Sequence, residues 1–415
     1  MTARRRIQDA PAATPTCSLS DLAAPTPIAW RARPAARRRI IWVSCAFVAH
    51  RRRRARPGSR WLAIGQVLGL TAVLTAALAV TSCTSAPGGT GSHGTTGRSA
   101  VTPALARQVW DHYAAVIRTQ VIKAGLPVPA LSLETGPRHA YDAANDSSEL
   151  AYPADSALAF YLPAHSGYPH FFVVDVTKKP ASGYSAGAAA PVSVDGAEVR
   201  PLGPELLLFE QVRAGQPWLL ASTVNLAVGE TLPKLATDGA GYVQTVAPSA
   251  AALLARPDEV GAFQAAVVDD GPASPATRAV ADGQLTTGLY RGALGRADGL
   301  KAPPGDIYQW ELTGTSYPEF ALRTAGGGAL VFYTMALDTT IAVPGYIDKA
   351  DPVRSGPPIQ VPVSVRRLLP VGQAAPLIHL QTEQLLSFAA IDPPPVAGKI
   401  RVIAIGGGLT SATAS

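Results

Sequence analysis

Cysteine is scarce, with three in 415 residues (Cys17, Cys45 and Cys83), and this excludes a disulfide scaffold. Long apolar runs are scarcer still. Only Trp61 to Val80 reaches the roughly 20 residues a helix needs to cross a hydrocarbon core, so a polytopic membrane protein is excluded. No Gly-rich loop is followed by Lys and Ser/Thr, as a phosphate cradle requires; Gly326-Gly327-Gly328 reads as a hairpin turn instead. The His residues lack the Cys, Asp or Glu spacing of a zinc set, and His165 and His170 merely flank Ser-Gly-Tyr-Pro in a loop. Neither a metal nor a cofactor is expected.

Acidic residues are nearly missing from the first 60 positions, which hold 14 Arg against Asp9 and Asp21. The whole-chain charge of +7 therefore belongs to that segment. Beyond residue 60 there are 22 Lys+Arg against 27 Asp+Glu, a balance of −5, and a basic surface for nucleic acid is not expected there.

The Arg cluster at 51–54, 56 and 60 runs directly into the uncharged Trp61–Val80 stretch. A basic region followed by an apolar one is the pattern of an export signal, because the cations stay on the cytoplasmic side while the apolar part enters the bilayer. Val80-Thr81-Ser82-Cys83 comes next, and it resembles the lipobox of bacterial lipoproteins: an aliphatic residue and two small ones before the Cys that takes diacylglycerol and becomes the mature N-terminus. An uncleaved anchor is the alternative, and both readings place the residues after 83 on the extracytoplasmic face of the cell membrane. Residues 1–50 lie too far upstream for an ordinary signal. They are expected to be a disordered or mis-annotated extension, with translation starting near Val43 or Val48. The signal peptide is then 51–82, and residues 83–100, rich in Gly, Ser and Thr, form a flexible tether.

The remaining roughly 315 residues are enough for two domains, expected at 101–245 and 255–415. The first opens with a helix over 102–123, where Leu105, Val109, Tyr113, Val116, Ile117 and Val121 recur at helical spacing. Strand patterns come after it at 157–162, 171–177, 206–213 and 218–226. In the second, a short helix over 258–268 and a poorly defined stretch to 304 precede strand patterns at 307–312, 319–324, 329–339, 359–369, 377–390 and 399–405. The halves echo one another: Gly167-Tyr168-Pro169-His170-Phe171 matches Ser316-Tyr317-Pro318-Glu319-Phe320. Helices followed by an antiparallel meander make an α+β class. Each half resembles the nuclear-transport-factor-like (cystatin-like) superfamily, which implies N-terminal helices packed on a curved sheet as a cone. The exported region as a whole resembles uncharacterised actinobacterial lipoproteins, and no activity comes with that resemblance.

Gly183-Tyr184-Ser185-Ala186-Gly187 satisfies the G-x-S-x-G string of serine hydrolases, but no strand ends at its first Gly and no amphipathic helix comes after it, so a loop is expected. His112 lies at the edge of the first helix's apolar stripe, where a cone-fold enzyme would place a proton-transfer group; its neighbour Asp111 points about 100° away. Of the aromatics, Trp310, Tyr317, Tyr333, Tyr168 and Trp218 are the candidate lining of an open cone, with most ring residues expected in the core. The sequence thus points to a lipid-anchored module with no catalytic residue, binding an unknown protein or small molecule. The alternative is a cone-fold enzyme of hydrolase or isomerase type using His112 or a pocket acid. Labelling cells with a lipid precursor is expected to tag the wild-type protein and not Cys83→Ala; equal labelling of both would refute the lipobox.

Overall fold

Thr102 starts the first helix, α1 (Pro103–Val116): its Oγ1 accepts from Leu105 N at 3.2 Å and Pro103 follows at a position where no N–H is needed. The computed structural model describes residues 101–121, 128–145, 157–177, 192–194, 197–199, 204–300, 307–342, 359, 361–370 and 379–415. The expected extension, signal, lipobox and tether, and the Ser185 string, lie outside these. Among the described residues no helix is long and apolar enough to cross a membrane.

The fold is α+β, with few helices on a large open antiparallel sheet. After α1 come α2 (Val128–Leu131) and α3 (Gly136–Asn145), then β1 (Ala157–Tyr161), β2 (His170–Thr177), the small pair β3 (Val192–Val194) and β4 (Ala197–Val199), β5 (Glu205–Gln211) and β6 (Leu219–Leu226). The second half brings α4 (Val260–Asp270), α5 (Thr287–Leu300), β7 (Ile307–Gly314), β8 (Phe320–Arg323), β9 (Ala329–Ala342), α6 (Val363–Arg366), β10 (His379–Asp392) and β11 (Arg401–Ala414). The main sheet runs β1-β2-β5-β6-β11-β10-β9-β7, with β8 beside β9.

Where two separate sheets were expected, the last strands of the two halves join edge to edge. β6 and β11 meet at Leu226↔Ala404 and Asn225↔Ile405, and the described residues all belong to one compact unit. The segment between the halves is stitched to both. Val243 N donates to Leu162 O, Ala236 N to Arg323 O and Arg323 N to Gln244 O, each at 2.8 Å.

Strand alternation sorts the core into layers. Phe172, Val174, Leu207 and Phe209 face α1, while Val331, Tyr333, Met335, Leu386 and Phe388 belong to the core shared with α4. The opposite faces of both halves meet each other through Phe171, Leu206, Leu208, Phe320, Leu330 and Phe332. Phe171 and Phe320, the matching residues of the two repeated strings, meet in a tilted contact with centroids 4.6 Å apart. The internal repeat therefore meets itself in the middle of the molecule.

Several elements differ from expectation. The segment expected as a strand over 359–369 holds the one-turn helix α6, because Pro362 supplies no ladder N–H and Arg366 N turns back to Pro362 O at 2.9 Å. The poorly defined stretch contains α5, whose four glycines hide a helix that buries Ala293 and Ala297. β11 continues nine residues past the expected end through Gly406-Gly407-Gly408. There a Cβ on Gly406 would fall on the Thr223 carbonyl of β6, one on Gly407 (φ 99°) on the Leu385 carbonyl of β10, and one on Gly408 on the Tyr141 ring of α3.

Gly406→Ala is expected to cost about 1–3 kcal/mol, as overpacking against backbone does. Gly295→Ala, in open space on α5, is expected to stabilise by about 1 kcal/mol. Denaturant unfolding of the full chain checks both, and the seam is not tightly packed should Gly406→Ala be neutral.

Candidate functional site

α1 turns Leu105, Gln108, Val109, His112 and Tyr113 toward one side, the i, i+3, i+4, i+7 pattern of a single helix face. Opposite lie Phe209 of β5, the β5–β6 turn with Pro217 and Trp218, and Leu133 just before α3. The turn is held by Gly215 in the left-handed region (φ 78°) and by Gln211 Nε2 donating to Gln216 O at 2.6 Å. These elements enclose a cleft of about 280 Å3, close to the size at which small molecules are held.

Its floor is aromatic. Tyr113 meets Phe209 edge-on at 5.5 Å, Phe209 stacks on Phe172 at 5.1 Å, and Phe172 meets Trp218 at 5.2 Å. The side chains of Gln108 and His112 and the indole N–H of Trp218 make no hydrogen bond among the described residues, so three polar hooks ring an apolar slot. Asp111 does not join them: its carboxylate takes Arg107 Nε at 2.9 Å on the solvent face.

The corresponding space in the second half is filled. Between α4, α5 and the sheet only about 10 Å3 remains, walled by Val268, Leu289, Trp310, Leu312 and other apolar side chains. Trp310 plugs it and donates from Nε1 to Val268 O at 3.1 Å. The five aromatics singled out from sequence are thus dispersed. Trp218 shares the α1 cleft with His112; Trp310 is a plug; Tyr317 and Tyr333 line a smaller pocket between the halves; Tyr168 is 47% exposed, stacked 3.9 Å from His170. Tyr333 is almost wholly buried, its hydroxyl donating to Gln264 Oε1 at 2.9 Å. His165 and His170 lie 6.5 Å apart, and among the described residues no three His, Cys, Asp or Glu converge as metal ligands.

Sequence reasoning missed the acidic cluster behind the cleft. Glu134, Arg138 and Asp142 fall at i, i+4 and i+8, so α3 and the turn before it bring them to one face. Arg138 Nη2 lies 2.8 Å from Asp142 Oδ2, and Arg138 Nε 3.8 Å from Glu134 Oε1. The Glu134 side chain is fully buried and that of Asp142 nearly so. One guanidinium beside two carboxylates leaves a net negative charge out of water, and the cluster resolves this by keeping a proton. Burial first, then the negative charge of Asp142 and a carboxyl–carboxyl hydrogen bond with it, pushes Glu134 up to about 8. Tyr113, in the floor of the cleft, feels the same cluster, and burial pushes its hydroxyl well above the ordinary range. The spacing Glu-x3-Arg-x3-Asp was the available signal, but nothing in it told a buried face from a solvated one.

A family model described as "Domain of unknown function (DUF8094)" matches residues 98–414, and the chain belongs to that family. An "Uncharacterized lipoprotein" of Streptomyces avermitilis is 28% identical over 177 residues. The match covers 42% of this chain and 44% of that relative's own length. No solved structure matches the chain.

The proton held by Glu134 sets a pH dependence. With the folded value near 8 and the unfolded one near 4.5, folding takes up a proton between them, so this stability is full below about 4.5 and lost as pH rises through 8. Asp269 and Asp392, each pushed up to about 6 mainly by burial, act in the same sense at lower pH. Melting temperature is therefore expected to fall between pH 6.5 and 8.5, by about 2–4 °C per kcal/mol lost. Glu134→Gln is expected to remove most of the fall between pH 6.5 and 8 and to leave, at pH 5–6, only the smaller slope due to Asp269 and Asp392; an unchanged slope between pH 6.5 and 8 would refute the shared proton.

Proposed function

We propose that the chain is a membrane-anchored, extracytoplasmic lipoprotein whose folded part binds a small, mainly apolar molecule in the α1 cleft without turning it over. The observation that carries the binding half is the contrast between the halves, with about 280 Å3 left open under α1 and about 10 Å3 in the second half. A space of that size with apolar walls loses packing contacts when empty and regains them from a ligand.

The anchor rests on the order of Arg cluster, apolar run, Val80-Thr81-Ser82-Cys83 and tether, and on the lipoprotein name of the Streptomyces avermitilis relative. Helices before an antiparallel meander in both halves agree with the nuclear-transport-factor-like resemblance, and the α1 cleft then corresponds to an open cone. Cleavage before Cys83 removes the 14 Arg of the first 60 residues and leaves a working protein at −5.

The cone-fold enzyme reading rests on His112 at the cleft rim. Acid–base turnover in an apolar pocket calls for two converging titratable groups. No carboxylate lines the cleft among the described residues: Glu134 and Asp142 are paired with Arg138 behind it, and burial holds the Tyr113 hydroxyl protonated. Binding is therefore the better-supported reading.

The full chain in detergent is expected to bind an environment-sensitive apolar probe such as anilinonaphthalene sulfonate with saturation near one per chain. Val109→Trp, which fills the cleft from α1, is expected to weaken binding tenfold or more while the protein stays folded. His112→Ala should change it by less than about threefold. Equal saturation by wild type and Val109→Trp would place the probe elsewhere and overturn the assignment.

A further inference from the structure

A second pocket lies where the two halves face each other. It is lined by Glu210 of β5 and Ser222 of β6 from the first half and by Tyr317, Phe320 and Phe332 from the second, with Gly136 at its rim. Its volume is about 30 Å3, against about 280 Å3 for the α1 cleft. Gly136 sits in the left-handed region (φ 56°), and a Cβ there would lie 3.7 Å from the Tyr317 ring. The ring thus covers the start of α3 and closes one side of the pocket.

The carboxylate is the unusual feature. Glu210 is 6% exposed and stands beside Phe171 in the β2–β5 ladder, on the face where Phe171 meets Phe320. It makes no hydrogen bond or ion pair among the described residues. Burial alone raises its proton affinity, with no cation nearby to oppose it. An unpartnered carboxylate with most of its water removed is costly, and a cation brought to it recovers part of that cost.

The walls select the kind of cation. A divalent ion needs six or more oxygen ligands or several charged ones, and among the described residues no such set converges here. Aromatic rings instead favour an organic cation, whose charge they attract through the ring face. A primary ammonium has three N–H donors for the Glu210 carboxylate and the Ser222 hydroxyl. It is also the more compact head, as suits a pocket about a tenth the size of the α1 cleft, whereas a quaternary head carries four carbon substituents and no N–H.

We propose that this inter-half pocket is a subsite for a primary ammonium group, held by Glu210 and Ser222 and walled by Tyr317, Phe320 and Phe332. The ligand is a small primary amine whose tail leaves past the Tyr317 rim. The site is separate from the α1 cleft, shares no residue with it, and stands or falls independently of the ligand that cleft binds.

The test uses the full chain in detergent, titrated at constant ionic strength with methylammonium, tetramethylammonium or sodium chloride and followed by melting temperature and calorimetry. Methylammonium is expected to stabilise the protein with saturation, and the other two salts to give at most a tenth of the apparent affinity. Glu210→Gln removes a buried charge, so it should be at least as stable in plain buffer and lose methylammonium binding tenfold or more. Should Glu210→Gln fold poorly, Tyr317→Leu at the rim carries the same test, with an expected loss of at least threefold. Equal responses to sodium and methylammonium, or undiminished binding in the folded variants, would overturn the proposal.

Discussion

The short contact between β6 and β11 is the constraint on which the rest of the molecule depends. Only two residue pairs make the ladder there, yet they turn a four-stranded and a five-stranded set into one nine-stranded sheet. Such a junction holds because side-chain volume has been removed where the backbones cross. Gly406 admits the Thr223 carbonyl, Gly407 the Leu385 carbonyl, and Gly408 the ring of Tyr141. With β11 fixed, α3 of the first half lies on a strand of the second, and Asn145 Nδ2 donates to Leu409 O at 2.6 Å. The tilted contact of Phe171 with Phe320 closes the same seam from the face of the sheet.

The two halves share a plan and divide the work. In the second, Trp310 and the small residues of α5 let helices settle fully onto the sheet, and packing density is spent on stability. In the first, α1 presents Leu105 and Val109, too short to reach Trp218, and the space between remains open. Behind that space the buried Glu134–Arg138–Asp142 set takes the place an apolar layer occupies in the second half. Charges paired in this way favour one arrangement of the elements that carry them. The open half is thus the one whose helix is also positioned by charge.

The range of each signal decides how much of the fold was legible in the sequence. Strands with period-2 apolar residues between turn signals, such as 157–161, 170–177 and 219–226, fall within a residue or two of expectation, because period and punctuation are local. Pairing between β6 and β11 depends on residues about 180 positions apart, and no local pattern carries it. The triple glycine read as an end because glycine usually breaks a strand, whereas here it admits neighbours the sequence does not name. Four glycines likewise disguised α5, and Pro362 turned an alternating apolar run into one helical turn. For the cleft, His112 and Trp218 were each noticed alone. Their meeting was not legible, since it needs α1 to lie across the β5–β6 hairpin, and the buried Glu134 cluster looks in sequence like any solvated helix face.

At the far border of the sheet, β7 has no strand beyond it among the described residues, yet its border is tied down: Leu312 N donates to Asp269 at 3.0 Å, and the Trp310 indole donates to Val268 O beside it. An unsealed border strand is a template on which another chain can pair. On a membrane anchor of the kind proposed above, neighbours would be held in two dimensions at high local density and could not diffuse away from a wrong encounter. The end of α4, folded over β7, makes that border a poor template for a second copy.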